Sequence, residues 1–275
     1  MPNQYTHILY IYVALPCEAK PLVERFKLKK QLAVKPFAVY LSKDICLTVT
    51  GLGKSAMAAG VAYTQGLFSS VNPAILINLG VAGHRDFELG TLYLMTKITD
   101  ADSQRSYYPS LVFSLPYLTA SIQTVSKPVV DYDSIALCDM EASAFYETAI
   151  RFVSSEFIFC LKVISDNQTS TVENIKPKQV VAWIEKHLEA VEYLLKLAFK
   201  QTEFSKKNCN LVLFAQLKDQ YHFTMNEREQ LKSLIDKWNV LTNHQHLECD
   251  QTGLTTAKSV IQWLDVKISQ VEYLL

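Results

Sequence analysis

Arginine is scarce in this chain of 275 residues: only Arg25, Arg85, Arg105, Arg151 and Arg228 occur. Phosphate sites favour the arginine fork, so the scarcity weighs against phosphate chemistry. Net charge is lacking as well. Lys+Arg and Asp+Glu cancel at 27 each, which leaves no field to gather nucleic acid or acidic lipid. No apolar stretch reaches membrane-spanning length, and the start, Met1-Pro2-Asn3-Gln4-Tyr5, has neither a basic n-region nor a cleavage site. The expectation is a cytoplasmic protein with no membrane partner and no nucleic-acid partner. Six cysteines (Cys17, Cys46, Cys138, Cys160, Cys209 and Cys249) lack CxxC spacing, which points to reduced thiols rather than disulfides or zinc. His244-Gln245-His246 has no third ligand converging in sequence and reads as a polar loop.

What the chain has is an apolar content of 49%, enough for one large α/β core and a small appendage. His7 to Leu15 is a continuous β-branched and aromatic run, read as a buried strand. A helix follows over about Glu18 to Phe26, with Pro21 in its first turn. Phe37–Leu41 and Ile45–Thr50 flank a polar Ser42-Lys43-Asp44 turn and read as a hairpin. An Ala-rich helix ends near Ser69, Ala74–Asn78 is a central strand, and Gly80-Val81-Ala82-Gly83 reads as a glycine turn. Thr91–Ile98 is a further strand, and Asp100 to Lys127 reads as an irregular flap. A helix over about Met140–Phe152, a strand at Phe157–Ile164 and a long helix from Lys178 to Lys200 complete the alternation. The expectation is a three-layer α/β domain with a mostly parallel central sheet over residues 1–200. Residues 201–275 are expected to be a helical extension, with a polar linker at Gln201–Asn210, a helix capped near Asn226 and another over Thr255–Leu275.

Three acids stand at strand ends, where open α/β sheets build their sites. Glu18 follows the first strand, Asp139-Met140-Glu141 opens a helix, and Ser165-Asp166 closes the most apolar strand of the second half. Each has a plain alternative, since acids complement helix N-termini and Ser-Asp makes an N-cap or Asx turn. Together they suggest chemistry on a sugar: a carboxylate suits a cis-diol because each oxygen accepts one O–H. Gly51-Leu52-Gly53-Lys54-Ser55 is not a P-loop, because the position separated by four residues from the Gly53-Lys54 pair is Thr48 rather than glycine. Asn78–Gly83 offers small residues against which a ligand can approach the backbone.

Five segments, ALPCEAKPL at 14–22, VTGLGKSAMAAG at 49–60, INLGVAGH at 77–84, CDMEASAF at 138–145 and LKVISDNQTS at 161–170, carry a resemblance. The chain resembles the purine nucleoside phosphorylase and nucleosidase superfamily, and within it the methylthioadenosine/S-adenosylhomocysteine nucleosidases and related bacterial proteins. The resemblance implies that Glu18 activates a water and that Asp166, helped by Ser165, protonates the departing base. It implies that Met140 and Glu141 hold the ribose while Ala82 and Gly83 line the pocket floor. It further implies a small-molecule nucleoside substrate, no cofactor, no metal and a homodimer. Val81 stands where the nucleosidases usually carry serine and His84 where they usually carry a second glycine. The stretch between Asp100 and Val130 is shorter than theirs, with Tyr107, Tyr108 or Phe113 as possible replacements for its stacking aromatics. The expected reaction is hydrolysis of a purine ribonucleoside or thioether derivative. The alternatives are phosphorolysis, for which Arg85 is the one candidate phosphate ligand, and a weakened homologue that binds a nucleoside without turnover.

Overall fold

The computed structural model describes residues 7–68, 74–111, 115–128, 135–207, 209–242, 245, 247–249 and 254–272. Phe113, His244 and His246 therefore lie outside the described residues. The chain forms two compact units, Met1–Phe199 and Lys200–Leu275.

In the first unit the chain runs β1 (Leu9–Val13), α1 (Pro16–Arg25), β2 (Lys29–Lys30), β3 (Ala38–Leu41), β4 (Ile45–Val49) and α2 (Lys54–Phe68). It continues through β5 (Ile75–Gly83), β6 (Leu92–Asp100), β7 (Ser106–Tyr107), β8 (Leu118–Thr124), β9 (Leu137–Asp139) and α3 (Ala142–Ala149). Then come β10 (Ile158–Asp166), α4 (Pro177–Lys186) and the start of α5 (Leu188–Lys207). Strand periodicity divides the core into two layers. Leu9, Ile11 and Val13 pack with Leu22 of α1, Ile184 of α4 and Val191 of α5. Tyr10 and Tyr12 point the other way, toward Met57 and Val61 of α2 and Phe145 of α3. Helices thus cover both faces of the sheet.

The sheet itself corrects the mostly parallel expectation. Parallel pairings join β1 to β4 and β5, β5 to β10, β6 to β8 and β8 to β9. Antiparallel ones join β10 to β6, β5 to β9, β6 to β7, β3 to β4 and β2 to β3. The sheet is mixed, and β5–β10–β6–β8–β9 close on themselves as a five-stranded barrel. β5 is parallel and β6 antiparallel to the same β10, so the chain must reverse between them. Gly90, at φ +79°, occupies the left-handed region within that reversal.

Other expectations shift with the tertiary structure. Gly80–Gly83 is the end of β5, not a turn. The expected irregular flap contains β7 and β8. The long helix breaks at His187, whose Nε2 lies 2.7 Å from the Gly90 carbonyl oxygen. Gln201–Asn210 is mostly helical, since α5 runs to Lys207 and the next helix starts at Cys209.

The second unit consists of α6 (Cys209–Gln220), α7 (Met225–Leu241) and α8 (Ala257–Glu272). Leu217, Phe223, Leu231, Ile235, Val260 and Leu264 form its core. Thr224, rather than Asn226, caps α7: Glu227 Oε2 accepts the Thr224 N–H at 2.8 Å, and Thr224 Oγ1 accepts the Glu227 N–H. Among the described residues, no helix is long and apolar enough to cross a membrane.

Candidate active site at the strand ends

The ends of β5, β9 and β10 meet around a cavity of about 320 Å³. Ala82 and Gly83 come from β5, Cys138 and Asp139 from β9, and Ser165 and Asp166 from β10. Met140 and Glu141 follow β9 directly and complete this wall. Six of the seven site residues expected from sequence therefore share one hollow: Ala82, Gly83, Met140, Glu141, Ser165 and Asp166. The remaining lining is aliphatic or sulfur-bearing and includes Leu15, Cys17, Leu52, Val81 and Ile175. The charged residues of the described lining are all acidic: Asp139, Glu141 and Asp166.

Glu18 is the exception. It is buried but does not line the cavity. It stands behind the wall, where Oε2 accepts the N–H groups of Ala14 and Leu15 at 2.8 Å and Oε1 accepts that of Val81 at 3.1 Å. Leu15, Cys17 and Val81, its neighbours in sequence or by hydrogen bond, are lining residues. Burial pushes the Glu18 carboxyl up to about 7, against the pull of these N–H donors and the Lys162 charge.

Lys162 was not expected from sequence. It is 1% exposed in the middle of β10, with its ammonium 2.8 Å from Asp139 Oδ2. Burial alone would lower its pKa, but Asp139, Cys160 and Glu141 outweigh that and raise it. A first side-chain carbon built on Gly80 would lie 3.0 Å from Glu18 Oε1 and 3.3 Å from Lys162 Nζ. Gly80 is thus the gap that lets the carboxylate and the ammonium approach one strand. The signal available in sequence was a lysine breaking an apolar strand on the parity of Cys160 and Ile164, both of which face α2 and α3.

The Asp139-Met140-Glu141 triplet divides its labour. Asp139 is structural: it takes Lys162, accepts the Thr124 hydroxyl at 2.8 Å, and accepts the Ala142 N–H at the start of α3. Glu141 lines the cavity and accepts the Gly53 N–H at 2.8 Å, so the glycine turn before α2 orients the carboxylate. Burial, with Asp139 nearby, raises its pKa despite Lys162. Three buried carboxyls facing one ammonium cannot all ionise cheaply, and both Glu18 and Glu141 respond. Ser165 Oγ donates to Asp166 Oδ1 at 2.5 Å and fixes that carboxyl's orientation. Burial raises both cavity thiols, Cys17 and Cys138, with added repulsion from Glu18 for the first and from Asp139 and Asp166 for the second. They are poor nucleophiles and poor metal ligands as they stand. Among the described residues, no three His, Cys, Asp or Glu side chains converge to hold a metal.

No protein-family model and no curated protein sequence matches the chain. Solved structures do. The 5'-methylthioadenosine/S-adenosylhomocysteine nucleosidase of Helicobacter pylori, in complex with butyl-thio-DADMe-Immucillin-A, aligns with a TM-score of 0.58 at 12% identity, over 70% of this chain and 99% of that one. The chain has the nucleosidase fold. The 5'-methylthioadenosine nucleosidase of Arabidopsis thaliana aligns with a TM-score of 0.58 at 15% identity, over 70% of this chain and 96% of that one. The S. pneumoniae nucleosidase bound to the transition-state inhibitor MT-ImmA gives 0.56 at 16% identity, over 68% and 98%. At such identities the likeness is one of fold, and the chemistry rests on the residues of this chain.

Proposed function

We propose that this protein hydrolyses the N-glycosidic bond of a purine ribonucleoside or its 5'-thioether derivative. The observation that carries this reading is the joint placement of Glu141, Ser165 and Asp166 around one hollow of about 320 Å³. Glu141 and Met140 hold the ribose, the carboxylate accepting hydroxyls and the thioether packing beneath. Asp166 gives a proton to a ring nitrogen of the base as the C1'–N bond breaks and its electron pair passes to the base. Water bonds to C1' from the far side and loses a proton to Glu18, whose pKa of about 7 suits a base at neutral pH; this step requires the carboxylate, which stands behind Leu15, Cys17 and Val81, to reach the hollow past them. The division of labour resembles that of paired carboxylates in glycosidases.

Water is favoured over phosphate because every charged residue of the described lining is an acid. Arg85 is paired with Asp86 at 2.8 Å and is not a lining residue. A second reading, a nucleoside-binding protein with weak turnover, is favoured by Glu18 standing behind the wall with both oxygens engaged by backbone N–H groups. Chromatography of free base released from a purine nucleoside panel, with and without phosphate, separates the readings. Hydrolysis gives equal release in both buffers. Strictly phosphate-dependent release makes the protein a phosphorylase, and thermal stabilisation by nucleosides without release makes it a binder. The resemblance also implies a homodimer, which analytical ultracentrifugation tests.

A further inference from the structure

β9 carries Cys138 and Asp139 into the cavity and leads straight to Met140 and Glu141, yet it is joined to β5 through a single backbone register pair, Gly83 with Cys138. The next residue, His84, is 5% exposed and carries a ring that the cavity chemistry described above leaves unused. Its Nδ1 accepts two backbone N–H groups, Asp86 at 3.0 Å and Phe87 at 3.1 Å. A ring nitrogen facing two donors must be the acceptor, so the proton sits on Nε2. Nε2–H then donates to the Ile135 carbonyl at 3.0 Å, two residues before β9 begins. The ring stacks on Phe87, centroids 3.5 Å apart, and Phe87 stacks on Tyr93 of β6 at 4.6 Å. The same short segment is tied to the end of β10. The His84 N–H donates to the Asp166 carbonyl at 3.0 Å, and Asn167 Nδ2 donates to the Phe87 carbonyl at 3.0 Å.

We infer that His84 is a positioning residue: its neutral ring latches the approach to β9 onto the end of β5, and so sets the gap between Glu141 and Asp166. This role rests on the nucleosidase reading for its consequence in turnover, but the latch itself is a property of the fold. It belongs to the side chain, because a glycine there could keep the backbone bond to Asp166 and would lose the ring's contacts with Ile135, Asp86 and Phe87.

Two substitutions split the ring's functions. His84→Asn keeps an acceptor in the place of Nδ1 and loses the bond to Ile135. His84→Gln keeps a donor in the place of Nε2 and loses the two N–H contacts. Amide hydrogen exchange over residues 135–141, measured without ligand, should quicken on the order of tenfold in His84→Asn and stay near wild type in His84→Gln. With 5'-methylthioadenosine as the probe, KM should rise on the order of tenfold in His84→Asn, with kcat within about threefold of wild type, and His84→Gln should restore it. Unchanged exchange in His84→Asn, or equal loosening in both variants, overturns the latch. A wild-type protein that neither binds nor cleaves any nucleoside overturns the functional reading instead, and the exchange result still decides the latch.

Discussion

The two units of this chain treat charge in opposite ways. The first buries Glu18, Asp139, Glu141, Lys162 and Asp166, whereas the one polar side chain among the buried described residues of the second is Asn239. The helical unit follows the ordinary rule, with apolar faces inward and every described charge at the surface. Burying an ion costs several kcal/mol after relaxation, so a cluster of five has to be held by specific partners. In the first unit the partners are visible: Lys162 for Asp139, backbone N–H groups for Glu18 and Glu141, and Ser165 for Asp166. The difference places the proposed chemistry in the first unit, while the second is held together chiefly by apolar packing.

The contrast is most exposed at Lys162. Lys162→Met leaves Asp139 buried without its cation and should cost roughly 3–5 kcal/mol in urea unfolding of the first unit. A loss below about 1 kcal/mol would mean that the cluster is solvated and the contrast false. Leu264, fully buried in α8, tests the other side. Leu264→Ala should destabilise the helical unit by roughly 2–5 kcal/mol, read by limited proteolysis, and leave base release unchanged. Lost turnover at intact first-unit stability would place chemistry in the helical unit after all.

Glu18 sharpens the comparison through pH. Its folded pKa of about 7 lies above the ordinary 4.5, so the unfolded chain releases the proton first. The stability linked to protonated Glu18 is complete below about pH 4.5 and is lost as pH rises through about 7, amounting to roughly 3 kcal/mol. Subtracting the Tm profile of Glu18→Gln from that of wild type isolates this slope, and a flat difference would contradict the burial argument. Turnover should run the opposite way, rising toward pH 7 as Glu18 becomes a base. Asp166→Asn keeps the shape and removes the acid. Its kcat should fall on the order of 10²-fold, about 2.7 kcal/mol on the barrier, with the Tm little changed.

Much of this was legible in sequence where the signal was local. The apolar runs at β1 and β10, the glycines before α2 and the acids at strand ends each announce themselves within a few residues. Barrel closure did not, because it depends on β10 choosing both β5 and β6 as neighbours, and no local period records that choice. β8 was missed since its Leu118 and Thr119 are exposed, which erases the alternation of a half-buried strand. Lys162 was passed over because its partner, Asp139, lies on another strand. Glu18 shows the reverse difficulty: its place in the motif was readable, but not that its neighbours would screen it from the cavity.

Hydrolysis in an acid-lined cavity is tested most directly by cleaving 5'-methylthioadenosine in water labelled with heavy oxygen, with phosphate also present. The reading predicts free adenine and a sugar that carries the label at its anomeric carbon, both nearly abolished in Asp166→Asn. An anomeric phosphate, or no adenine at all, would contradict it.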